Sequence, residues 1–247
     1  MSGLLAAVAF LTRVPVSAPP EATATSLAWF PVVGALIGLA GALAYAVALL
    51  VVPPVLGAAL ATAALVVLTG ALHEDGLADS ADAWGGGSAR DDALRILDDP
   101  AHGTYGVLVL VLGLLLRVSA VAAMTPAAAL VILPAAHAFS RAMMVVVLAT
   151  SPPARATGLG ARYAAFATRR MLAAALTAAL IVGFGLVGPE FVALVAAGSV
   201  GGWLVRRLAL RSIGGVTGDV LGATQQVTEV AILFVAAALV TTGWGPR

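Results

Sequence analysis

WFPVVGALIGLAGALAYAVALLVV, Trp29 to Val52, carries no charged side chain and reads as one helix across a bilayer. A spanning helix needs roughly 17 to 25 apolar residues, because a hydrocarbon core about 30 Å thick leaves backbone amides no water to bond with. The whole chain shares this character. Its 247 residues are 61% hydrophobic and 10% charged, with a mean hydropathy of +1.05, outside the range of a domain that must face water on all sides. Comparable runs follow at 55–72, 105–124, 127–149, 171–188, 190–205 and 224–243. The predicted fold class is therefore all-α, a polytopic membrane helical bundle with about seven transmembrane helices. Pro-containing turns at Val51–Val55, Met124–Ala127 and Val187–Glu190 separate successive runs. A shorter apolar stretch, Gly3–Leu11, cannot cross, and it lacks the basic lead and small-residue cleavage site of a secretory signal. It is expected to be a short N-terminal interfacial helix.

The remaining connections, 73–104, 150–170 and 206–222, hold most of the charge. Arg90 and Arg95 lie in the first, Arg155, Arg162, Arg169 and Arg170 in the second, and Arg206, Arg207 and Arg211 in the third. Arginine accumulates on the cytoplasmic side of membrane proteins. Seven crossings from a cytoplasmic N-terminus put all three loops on that side and leave Arg247 beyond the last crossing. Residues 1–247 then form a single integral membrane domain of the cytoplasmic (inner) membrane, its polar face toward the cytoplasm. A net charge of +1 gives no reason to expect nucleic acid. Cysteine is absent, which excludes thiolate chemistry and Cys-ligated metal.

Eight of the twelve acidic residues fall in the first long connection, where orientation signalling does not require them. In HEDGLADSADAWGGG, His73–Gly87, a helix continuing from the second span brings Asp75, Asp79 and Asp82 onto one face at i, i+4 and i+7. Like charges stacked this way repel. Hard oxygen donors that crowd together suit Mg²⁺ or Mn²⁺, ions that keep several waters and share a site with substrate phosphates. The plainer reading is a solvated helix end carrying loop acids. His73 fits a ligand, a proton carrier or a hydrogen-bonded interfacial histidine. Gly85 and Gly86, in the triple glycine, let backbone approach a phosphate or simply form a flexible connection. Beyond them, residues 89–98 are predicted as a short surface helix ended by Pro100.

A second polar element, GGVTGDVLGATQQVTEV at Gly214–Val230, places Asp219, Gln226 and Glu229 on one helical face. Arg117 and Arg141 fall within predicted spans, where ionisable groups either serve a site or pair structurally. Acidic groups and arginines near one membrane boundary fit transfer of a phosphoryl-linked group between anionic substrates.

The run ALHEDGLADSADAWGGG, then RILDDPAHGTYGVLVLVLGLLLR, and later GGVTGDVLGA, resembles the cobalamin synthase family of adenosylcobinamide-GDP ribazoletransferases. FLTRVPV, WFPVVGALIG and SRAMMVVVLATSPPARATGLG extend the likeness over nearly the whole chain. The resemblance implies a Mg²⁺-dependent membrane enzyme that joins α-ribazole, or its 5'-phosphate, to adenosylcobinamide-GDP and releases GMP. It assigns Asp75, Asp79 and Asp82 to metal, and Asp219 as a further ligand. Asp82, Asp219 and His73 become the catalytic candidates; Glu74, Gly85, Gly86, Arg141 and Arg162 are candidates for substrate. Pro100 departs from the expected family pattern and leaves Asp98 and Asp99 without a role. Self-association, or association with other corrinoid-pathway enzymes, is open at this stage. CDP-alcohol phosphotransferases share an Asp-Gly acidic motif but place an Ala-Arg pair where this chain has Ala78-Asp79. A secondary transporter would place its acids nearer the membrane midplane and in both halves of the bundle.

Overall fold

The computed structural model describes residues 2–20 and 23–244; the predicted outer position of Arg247 lies outside the described residues. The short apolar helix α1 (Ser2–Leu11) packs beside α2 (Thr23–Ser26) and a 3-10 turn at Leu27–Trp29 that runs into α3 (Phe30–Ala48). Pro54 opens α4 (Pro54–Thr69), where its missing N–H is lost at no cost.

At the end of α4 the chain departs from the sequence reading. The second span does not continue into the acidic stretch; α5 (Leu72–Gly86) leaves α4 at 90°. Gly70 (φ 66°) and Ala71 (φ 57°) are both left-handed, and the Ala71 amide bonds back to the Val66 carbonyl at 2.9 Å, closing α4 in a Schellman-type turn. A side chain at Gly70 would occupy the space taken by the Arg13 guanidinium. Ala71, the one non-glycine residue with positive φ among the described residues, carries a strain of about 1–2 kcal/mol.

The short helix α6 (Arg90–Ile96) lies within the predicted 89–98. Then follow α7 (Thr104–Ala122), α8 (Pro126–Ala149), α9 (Leu159–Ala164), α10 (Arg169–Val187), α11 (Phe191–Ser212) and α12 (Gly218–Thr241). Threonine hydroxyls cap α8, α10 and α12: Thr125, Thr168 and Thr217 accept from Ala128, Met171 and Val220. Each satisfies an amide that the first turn leaves without a partner. Among the described residues six helices are long and apolar enough to span, and seven if the bent α4–α5 pair counts as one span. The fold is an all-α polytopic bundle.

The buried helix α8 lies at its centre, packed by α3, α10 and α12. Lipid tails are as apolar as leucine, so close backbone approach drives this association. Gly34 and Gly38 of α3 rest on the His137 and Leu133 carbonyls of α8, where a methyl group would have no room. At the arginine-rich end the third connection is only 213–217, shorter than the predicted 206–222, because α11 runs on to Ser212. Val216 pairs with the segment after α8 (Ala154 amide to Val216 carbonyl, 3.0 Å; Val216 amide to Pro152 carbonyl, 3.0 Å). Arg90 ties both segments to α6 through the Ile213 and Ala154 carbonyls.

Candidate functional site

The α5 helix crosses the start of α12 with little between the backbones. A Cβ on Gly76 would come within 2.7 Å of the Asp219 carbonyl, and one on Gly222 within 3.2 Å of the Gly76 Cα and the His73 backbone. This crossing of two glycines sets the first turns of α5 against Asp219, so the negative charges of Asp75 and Asp219 both act on Asp79. His102, from the segment before α7, completes the group. Its Nδ1 lies 3.3 Å from Asp79 Oδ1 and its Nε2 3.9 Å from Asp75 Oδ1. Donor atoms of Asp75, Asp79 and His102 all fall within 4.8 Å of one another. The Asp79 side chain is 17% exposed and that of Asp75 63%, so the group opens to water on one side. Two hard carboxylates and one imidazole with room for waters fit a divalent cation of the Mg²⁺ or Mn²⁺ type.

Asp82, predicted as a third ligand, is placed differently. Its two oxygens accept the Gly103 and Gly106 amides at 2.7 and 2.9 Å, and the side chain is nearly buried. The carboxylate neutralises the positive end of α7 and fixes the backbone adjacent to His102. The set of donors brought together is thus Asp75, Asp79 and His102 instead of Asp75, Asp79 and Asp82. A Cβ at Gly103 would come within 2.6 Å of Asp82 Oδ1, which accounts for glycine there.

Asp219 stands in the first turn of α12, accepting from Thr217 Oγ1 at 3.1 Å. It lines a polar recess of about 190 Å³ with Gly158, Gly160, Thr217 and Arg155. Arg155 is held by Asp98 through two hydrogen bonds of 2.6 and 3.0 Å, which gives Asp98 its employment. Arg162 is exposed on α9, without an ion pair among the described residues. Gly85 makes room for the Tyr105 ring and Gly86 ends α5 beside Ile96; they lie about 9 and 10.5 Å along the helix from Asp79 by the ordinary rise per residue.

The other candidates belong to a second polar layer deeper in the bundle. Glu74 Oε1 accepts from Arg117 Nη1 at 3.1 Å and from Gln226 Nε2 at 3.0 Å. Glu229, fully buried, lies 3.1 Å from Arg117 Nε, 3.0 Å from Arg141 Nη1 and 3.2 Å from His137 Nδ1. Gln225 Nε2 donates to Glu229 as well, and Gln226 Oε1 accepts from Arg117 Nη2. Two carboxylates thus balance two guanidiniums across α5, α7, α8 and α12. Arg141 is committed to Glu229, Ser140 and His137, a structural pairing and not an exposed phosphate ligand. His73, on the first turn of α5, is buried with its Nε2 unpartnered among the described residues. A larger apolar groove of about 960 Å³ between α7, α11 and α12 holds no acidic side chain.

His102 escaped the sequence reading although PAHGTYG was in view, because no helical spacing relates it to Asp75 and Asp79. The signal was a lone loop histidine beside glycine, directly after the acidic helix.

A family model described as cobalamin-5-phosphate synthase matches residues 3–237. A protein of Bradyrhizobium diazoefficiens named adenosylcobinamide-GDP ribazoletransferase is 43% identical over 245 residues, covering 96% of this chain and 94% of its own. Proteins of the same name from Ralstonia nicotianae (41% identical, 93% and 92% covered) and Pseudomonas aeruginosa (42%, 94% and 96%) are similarly close. No solved structure matches.

Proposed function

The chain belongs to the cobalamin-5-phosphate synthase family, and we propose from that premise that it joins adenosylcobinamide-GDP to α-ribazole or α-ribazole 5'-phosphate. The acceptor hydroxyl forms a new bond to the phosphorus that carries the cobinamide, the diphosphate bridge breaks, and GMP leaves with the displaced bridging oxygen. The product is adenosylcobalamin or its 5'-phosphate. The observation that carries this reading is the convergence of Asp75, Asp79 and His102 beside Asp219 at the open, arginine-rich end of the bundle.

Two carboxylates and an imidazole would hold Mg²⁺, which when bound offsets charge on the diphosphate and on the departing GMP. Asp219, held by a hydrogen bond from the Thr217 hydroxyl, would accept the acceptor's hydroxyl proton. The recess lined by Gly158, Gly160, Arg155 and the first residues of α12 would take a phosphate oxygen, at a helix N-terminus that favours negative charge. Asp82 positions His102 through Gly103. The distribution of arginines supports a site on the cytoplasmic side of the inner membrane.

Purified protein in detergent, given both substrates and Mg²⁺, should form a cobalamin and release one GMP per product, with no sealed compartment required. Asp79→Asn should lower that rate at least about 100-fold, the scale for loss of a charge-stabilising group, while the thermal melting profile is kept. A folded Asp79→Asn protein with full turnover would overturn the site; no product from the unmodified protein would overturn the activity and leave a transporter to be tested.

A further inference from the structure

A groove of about 600 Å³ runs between α8, α10 and α11. Its walls are apolar: Phe139 and Met143 from α8, Leu176 and Leu180 from α10, Val195 from α11. Its upper end is cationic. Arg206 lines the groove itself, and Arg169 lies seven and eleven residues before Leu176 and Leu180, hence on the same face of α10. From Leu180 to Arg169 the helix rises about 16 Å, close to the depth of one leaflet of a core about 30 Å thick.

The guanidinium of Arg206 is fixed over the mouth, donating from Nε to Ser151 Oγ at 3.0 Å and from Nη2 to the Thr150 carbonyl at 2.6 Å. Its Nη1 makes no hydrogen bond among the described residues. One turn below, Trp203 forms part of the rim and stacks under Arg207, 5.2 Å from ring centre to guanidinium carbon, the arrangement of an aromatic belt at a headgroup boundary. Among the described residues Arg169, Arg170, Arg206, Arg207 and Arg211 have no carboxylate within ion-pair distance, whereas Arg90, Arg95, Arg117, Arg141 and Arg155 all do. Arg162 of α9 shares this lack of an ion pair, but Arg169, Arg170, Arg206, Arg207 and Arg211 are the ones grouped at the arginine-rich ends of α10 and α11.

We propose that this groove is a binding site for an anionic phospholipid of the arginine-rich leaflet, its acyl chain along α8 and its phosphate between Arg206 and Arg169. An apolar channel one leaflet deep accounts for the chain. The unpaired guanidiniums favour a headgroup of net negative charge, because a zwitterionic one returns a positive charge to the same place. The site is independent of the transferase reading, since none of its residues touches the acidic group.

The test is spin-label electron paramagnetic resonance on the full chain in phosphatidylcholine vesicles, with trace phosphatidylglycerol or phosphatidylcholine labelled on the acyl chain. One arginine near an anionic headgroup corresponds to a preference of about five-fold. The motionally restricted component should therefore favour phosphatidylglycerol by at least that factor. Arg169→Gln with Arg206→Gln should bring the two lipids to parity, whereas Arg95→Gln, an ion-paired charge on α6 that does not line the groove, should leave the preference intact. Should the double variant not fold, Arg169→Gln alone should still reduce the preference, and Ser199→Trp should fill the groove and remove the restricted phosphatidylglycerol without changing any charge. Parity in the unmodified protein, or equal loss in Arg95→Gln, would overturn the proposal. So would a Ser199→Trp variant that keeps restricted phosphatidylglycerol but loses self-association, which would assign the groove to a second copy.

Discussion

Asp82 and Asp79 differ by less than one turn of the same helix, yet their surroundings give them separate duties. The Asp82 oxygens are both used by backbone amides; Asp79 faces His102, Asp75 and Asp219. Asp82→Asn keeps the shape but replaces one acceptor oxygen with a donor facing an amide. The α7 start and His102 should loosen together, and metal affinity should fall about 10- to 100-fold, as for other groups that orient a ligand. Mg²⁺ titrations of GMP release would show this as a raised half-saturating concentration with turnover recovered at high metal. His102→Ala should likewise raise the metal requirement. The acids and Asp219 were legible in the sequence because charge in a membrane chain is scarce. His102 was not, because its meeting with Asp79 depends on how the connection after α6 folds back, and spacing carries no trace of that.

At the scale of the element, the turn between α4 and α5 decides where the acids go. The helical period of Asp75, Asp79 and Asp82 was correctly readable from spacing, and for that reason it suggested a helix continuous with the second span. The interruption needs only Gly70 and Ala71 in the left-handed region, and alanine gives no warning of it. The Pro-containing turns, by contrast, announced themselves: proline at the starts of α4 and α8 marks boundaries within a residue or two of those read from sequence. Ala71→Gly should relieve the left-handed strain and stabilise the protein by about 0.5–1 kcal/mol, seen as a higher melting temperature in detergent. Gly76→Val should do the reverse and cost activity more than stability, because the added methyls meet the Asp219 backbone and push α5 off α12. A Gly76→Val protein with unaltered turnover would show that the site does not depend on that crossing.

Across the whole molecule, three buried charges, Arg117, Arg141 and Glu229, with the half-buried Glu74, hold together the helices that carry the site. Glu229 stands 11 residues inside α12, near the middle of that helix, and answers both Arg117 and Arg141. Removing one member leaves an uncompensated buried charge, at a cost of about 3–5 kcal/mol. Glu229→Gln should therefore lower the melting temperature sharply in detergent, more than any of the substitutions at Asp75, Asp79 or His102. The sequence showed these ionisable groups at membrane depth but not how they pair, since the partners come from helices more than forty residues apart. The same pairing occupies Arg141, whose charge is answered by Glu229.

Whether Asp75, Asp79 and His102 hold a divalent cation can be read from the nitrogen modulation in pulsed electron paramagnetic resonance of Mn²⁺ added to the purified protein. One tightly bound ion should appear with a single histidine nitrogen coupled to it, the coupling lost in a folded His102→Gln protein and the bound ion lost in Asp79→Asn. Mn²⁺ binding that is unchanged by both substitutions would contradict that site.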